Sequence, residues 1–247
     1  MVATVGFLYP GYSAEDDYPR LEAMLNEAGA AVRLPLAHTD IGTDAHRVDA
    51  LLEMGSVDRL TAVLGELTGR HPLGAVVWAC TSASFVFGYE GAGEQVRRLA
   101  AAAGLPASST SFAFARAVAS LGVTRVAVAA TYPADVAGLF ADFLKAAGIE
   151  VVATRGSGII TAAEVGTWGR DEVLRLAEAG DDPSAEAVLL PDTALHSAAW
   201  VAELEAVLGK PVLTANQVTV WEGLRLLGVA AVCPSLGTLF AGGRPAA

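Results

Sequence analysis

The chain has 247 residues and a net charge of −11, with 53% apolar and 17% charged residues. That is enough apolar material for one large domain or two lobes, and it excludes a disordered chain. The acidic balance and the scattered Lys and Arg argue against nucleic acid and anionic membranes as partners.

Strand-like apolar runs alternate with helical stretches along the whole chain. The first strand is expected at 3–9, followed by PRLEAMLNEAG with apolar residues at helical spacing and a glycine stop. A second strand at 31–35 leads into the segment 38–57, polar and Gly-bearing at first and then helical. Strands at 74–79 and 105–109 complete the first half. The second half repeats the order, with strands at 124–130, 149–154, 186–191 and 211–214 and the helix AGLFADFLKAAG after its first strand. Such alternation implies mostly parallel sheets with covered faces.

The halves also match block by block. TVGFLYPGYSAED pairs with RVAVAATYPADVA, and GAVVWACTSASF pairs with EAVLLPDTALHS. AGLPASSTSFAFARAVASLGV pairs with LGKPVLTANQVTVWEGLRLLGV. The expected fold is therefore α/β, with two pseudo-symmetric Rossmann-like lobes, each carrying a mostly parallel four-stranded sheet. Residues 1–110 form the first lobe, with 216–247 returning to it, and 111–215 form the second.

In this alignment Cys80 falls opposite Asp192, both just beyond a buried strand. Ligands of open parallel sheets bind at carboxyl strand ends, so the two residues are expected to flank a cleft between the lobes. Tyr9, with Pro10, and Tyr132 end the first strand of each half and are expected to border the same cleft. Thr81, Ser82 and Thr193 add hydroxyls, and the backbone N–H groups where each strand end opens into a helix favour an anion. This chemistry suits a small carboxylate and the charge that develops when it becomes an enediolate. Cys80 is then the soft, protonatable group beside the reacting carbon. Asp192 is either a general base or the N-cap of a following helical stretch that would hold His196. His38, Thr39, Ile159 and Ile160 are candidate contacts from loops over the cleft. Cys233, between apolar residues and Pro234, reads as a structural thiol. Two cysteines are too few for a disulfide framework, and His38, His46, His71 and His196 lack metal-site spacing, so neither disulfides nor a metal are expected. No leader segment opens the chain and no apolar run is long enough to span a bilayer, so a cytoplasmic protein is expected. A homo-oligomer is compatible with the sequence.

The Cys-Thr-Ser-x-Ser-Phe block, TYPADV, LLPDTAL and the terminal LGTLF resemble the aspartate/glutamate racemase superfamily, in its branch of maleate cis–trans isomerases and arylmalonate decarboxylases. The resemblance implies two lobes, no cofactor and carboxylate chemistry between the lobes. It places the nucleophile of the isomerases at Cys80, carboxylate-holding hydroxyls at Thr81 and Ser82, and a substrate-binding tyrosine at Tyr132. The chain departs from the pattern at Asp192, where the second cysteine would fall, and in the loop PGYSAEDD, which lacks the isomerases' asparagine. Cis–trans isomerisation of a maleate-like acid is the first expected reaction, through an enediolate or a covalent Cys80 adduct. Decarboxylation and amino-acid or hydroxy-acid racemisation are the alternatives, and a two-lobed carboxylate-binding protein without catalysis is a reading of a different class.

Overall fold

The computed structural model describes residues 2–11 and 13–242. The final residues of the stretch 216–247, from 243 on, thus lie outside the described residues. Strands β1 (Ala3–Pro10), β2 (Val32–Arg33), β3 (Leu36–Thr39), β4 (Ala75–Trp78) and β5 (Ala107–Ser109) form one sheet in which every pairing is parallel. Strands β6 (Arg125–Ala130), β7 (Glu150–Gly156), β8 (Ala187–Leu190) and β9 (Val212–Thr214) form a second, also parallel.

The sequence gives one strand at 31–35, whereas the structure has two short ones, β2 and β3, both on the same edge of β1. Pro35 interrupts them, because a proline has no N–H for the ladder. Its carbonyl still accepts from the Phe7 N–H at 2.9 Å, so the chain stays alongside β1. With β2 and β3 sharing one position, the sheets have the same order: β2/β3–β1–β4–β5 and β7–β6–β8–β9. In each, the order reverses beside the first strand, and the crevice there opens at the carboxyl ends.

Both faces of the second sheet are covered, as its side-chain alternation requires. Val126, Val128 and Leu189 join the large core shared with the first sheet. Ala127, Ala129, Val188 and Leu190 point the other way into a smaller core with Val173, Leu176 and Leu204. At the molecule's centre the helix Thr110–Ser120, which follows β5, packs on Ala215–Leu226, which follows β9. The Thr110 and Thr219 hydroxyls meet at 2.7 Å, and the fully buried Glu222 carboxylate is paired by Arg116 and Arg225. The second of these helices lies close on β1: a Cβ on Gly223 would come within 2.5 Å of Val5 Cγ1. Among the described residues no helix is long and apolar enough to cross a membrane.

Candidate active site

Cys80 and Asp192 each lie two residues beyond the last residue of a fully buried strand, β4 and β8 respectively. Each side chain turns back onto the backbone that follows it. The Ala83 N–H donates to Cys80 Sγ at 3.5 Å, and the Ala194 N–H donates to Asp192 Oδ1 at 2.9 Å. Ser82 Oγ stands 3.8 Å from the sulfur, and the Thr131 hydroxyl donates to Asp192 Oδ2. Both side chains line one hollow between the sheets, together with Tyr9, Pro10, Ser82 and Thr193.

The hollow is nearly closed. Its free volume is about 20 Å³, room for one water molecule. The strap 40–47, which follows β3, reaches across to 159–163, which follows β7. Asp44 accepts from the Ala162 and Ala163 N–H groups at 2.8 and 3.0 Å. The His46 N–H donates to Ile160 O at 2.6 Å, and its Nδ1 lies 3.0 Å from Ile159 O. The segment after the second strand thus covers the cleft, and Ile41, Asp44, Ala45 and His46 are the strap residues that reach the hollow. His38 and Thr39, read from the sequence as contacts, do not line it; Thr39 Oγ1 lies 3.5 Å from Tyr9 O. Ile159 contributes its carbonyl to His46, and Ile160 is half-exposed.

Burial pushes the Cys80 thiol up to about 11. The Ala83 N–H and the Ser82 hydroxyl pull it back, and the Asp192 charge adds to the rise. At neutral pH the sulfur therefore rests protonated. Burial raises the Tyr132 phenol too, with the Asp192 and Cys80 charges adding. It raises Tyr9 likewise, against the Ala14 N–H. Both rings stay neutral.

Not every residue singled out from the sequence faces the hollow. Tyr132 lies behind it, donating to Pro191 O at 2.9 Å, with its ring 4.7 Å from His46 and 5.9 Å from Phe85. Thr81 is fully buried, and its hydroxyl has no hydrogen-bond partner among the described residues. Tyr9 borders the hollow, but its hydroxyl is committed, donating to Thr193 O at 2.8 Å and accepting from the Ala14 N–H at 3.0 Å. Cys233 is buried beside Ser235 Oγ at 3.2 Å and does not line the hollow.

The expected helix after Asp192 is absent: residues 193–200 are turns, and the helix begins at Val201. Asp192 is therefore not a helix cap, and His196 sits in the turns, bonded to Gly166 O at 3.0 Å and paired with Asp16 at 2.9 Å. The reason is tertiary. Asp17, buried at the start of the helix Asp17–Glu27, accepts from the Ser197 and Ala198 N–H groups at 3.0 and 3.2 Å. Asn216 donates to the same Asp17 oxygen and to Thr193 O, each at 3.1 Å. These bonds from elsewhere in the chain take the donors and carbonyl that a helix would use. Sequence reasoning missed His46, Thr131, Asp17 and Asn216. Thr131 alone carried a signal, as the residue that opens the TYPADV block.

The profile of arylmalonate decarboxylase (Amdase) matches residues 54–240, about three quarters of the chain. The chain belongs to the arylmalonate decarboxylase family. Solved structures similar to this family member include the maleate isomerase of Pseudomonas putida with maleate, at 23% identity over 98% of each chain and a TM-score of 0.87. An arylmalonate decarboxylase is 26% identical over 96% of this chain and 98% of its own, with a TM-score of 0.74. The maleate cis-trans isomerase of Nocardia farcinica, solved with a covalently bound succinylcysteine intermediate, is 20% identical over 97% of this chain and 98% of its own, at 0.82. No curated protein matches the chain by sequence.

Proposed function

We propose that this family member is a cofactor-independent enzyme acting on a small carboxylate in the hollow between the sheets. Cys80 is the reacting group and Asp192 its acid–base partner. One observation carries the reading: a protonated thiol and an acid, from equivalent ends of two like-ordered sheets, line the same nearly closed hollow. The substrate carboxylate lies against the turns after β4 and β8, held by Ser82, Thr193 and backbone N–H groups, with Pro10 and the Tyr9 ring as wall and Thr81 and Tyr132 behind. Residues 1–110 with 216–242 act as one lobe and 111–215 as the other, and substrate enters between them when the strap lifts.

Cis–trans isomerisation of a maleate-like acid heads the reading, and the relative with a succinylcysteine intermediate supports it. Asp192 takes the Cys80 proton, and the sulfur adds to one alkene carbon as the π pair moves onto the adjacent carboxylate. The new single bond rotates, the S–C bond breaks, the pair returns to the alkene, and the proton returns to sulfur. Decarboxylation is the second reading, favoured by the high resting value of the thiol. There the C–C bond to one carboxylate breaks, CO2 leaves, and the pair remains as an enediolate. Cys80 then donates its proton to carbon, which requires a protonated sulfur.

Proton NMR of the protein with maleate and with phenylmalonate tests both. Fumarate supports the first reaction; CO2 with a monoacid supports the second. Cys80→Ala should abolish either. A Cys80→Ala variant that turns over like the wild type refutes the catalytic reading, and one that binds a carboxylate while the wild type turns over nothing favours a binding protein.

A further inference from the structure

His46 is 6% exposed and held at the rim of the hollow by the strap. Ile159 O can only accept, so the Nδ1 that lies 3.0 Å from it carries a hydrogen. That leaves Nε2 toward the hollow, 3.9 Å from Asp192 Oδ2. Both Asp192 oxygens accept, Oδ1 from Ala194 and Oδ2 from Thr131, as a carboxylate does. A bare nitrogen lone pair facing that oxygen would repel it, whereas a hydrogen on Nε2 makes the contact attractive. The Tyr132 ring packs on the His46 ring, and Tyr9, Asp44 and Cys80 are the other titratable groups that line the same hollow.

We infer that His46 and Asp192 act as one unit that passes a proton to and from Cys80. An aspartate alone is a poor proton donor near neutral pH, and an imidazole beside it supplies a donor of suitable strength. In the isomerisation the Asp192 carboxylate takes the thiol proton, both ring nitrogens of His46 already carrying hydrogens, and returns it. In the decarboxylation the Nε2 hydrogen restores the thiol after its proton has gone to carbon, and water reprotonates the ring once product leaves. His46 rides on the strap, with its N–H bonded to Ile160 O, so the unit is complete only when the hollow is shut. The inference rests on the hollow being the active site.

The test compares turnover of maleate and of phenylmalonate by the wild type, His46→Gln, Asp192→Asn and the double variant. Each single change should lower the rate about 100-fold or more, and the double should fall no further than the worse single. Added imidazole should restore His46→Gly at least about tenfold. His46→Gln at the wild-type rate, or a double variant equal to the product of the singles, overturns the unit. A second measurement needs no turnover. In 15N-histidine NMR, the His46 Nε2–H signal, located by its loss in His46→Gln, should be present in the wild type and absent in Asp192→Ala. Its persistence in Asp192→Ala overturns the pairing. A wild type inert to both probes defeats the proposed function, and the NMR result then decides the pairing alone.

Discussion

Asp44→Ala should unlatch the hollow and expose Cys80. The carboxylate holds two backbone N–H groups, those of Ala162 and Ala163, across the gap between the sheets. Buried bonds to a charged group contribute about 1.5–3 kcal/mol each. One of these is part-buried and the other exposed, and solvent competes for both, so we take roughly 0.5–1 kcal/mol apiece. Losing about 1–2 kcal/mol of closure raises the open population about 5- to 30-fold. The assay is iodoacetamide alkylation read peptide by peptide by mass spectrometry, which separates Cys80 from Cys233. At pH 8, with the thiol at about 11, about one sulfur in a thousand is thiolate. Alkylation is therefore slow in the wild type, and Asp44→Ala should speed it about 5- to 30-fold. Asp49→Ala, which removes an exposed carboxylate paired with Arg47, should leave it unchanged. A Cys80 rate in Asp44→Ala equal to that of the wild type would refute the latch.

Further outcomes follow from other contacts. Asp192→Asn removes the charge that adds to the rise of the Cys80 thiol, so its alkylation should quicken. The gain stays under about tenfold because burial, the first cause, remains; slower alkylation would contradict this. Asp17→Ala strips the acceptor from Ser197, Ala198 and Asn216 and should cost about 2–4 kcal/mol in urea unfolding, against under about 1 kcal/mol for Asp17→Asn, whose amide oxygen can still accept. Burial raises the Asp17 carboxyl, so the folded chain holds that proton more readily than the unfolded one. Its contribution is full below the ordinary carboxylate value and is lost as pH rises through the folded one. The wild type should thus gain on Asp17→Asn as pH falls, and a gap independent of pH would refute the assignment. Gly223→Ala should cost about 1–3 kcal/mol by driving a methyl into Val5, and a neutral result would mean that the helix stands off β1.

Much of this fold is legible in the sequence because its rules are local. Buried parallel strands read as short apolar runs, and each of the eight expected runs holds a strand, although 31–35 keeps only Val32–Arg33 and β3 lies beyond it, after Pro35. Since parallel strands end on one edge, the block alignment was enough to set Cys80 and Asp192 at equivalent positions. The amphipathic helix AGLFADFLKAAG likewise buries Phe140, Phe143 and Leu144, as its spacing requires.

What surrounds those two residues was decided only in three dimensions. His46 meets Ile159 across 113 positions and Asp17 meets Ser197 across 180. No local pattern encodes such a contact, because its partners become neighbours only after both sheets have formed. The same bonds turned 193–200 from an expected helix into a fixed turn, and the strap brought forward His46 where the sequence had suggested His38. A strand end shows where chemistry can sit; the loops that close over it are set by the backbone groups they find on the opposite side.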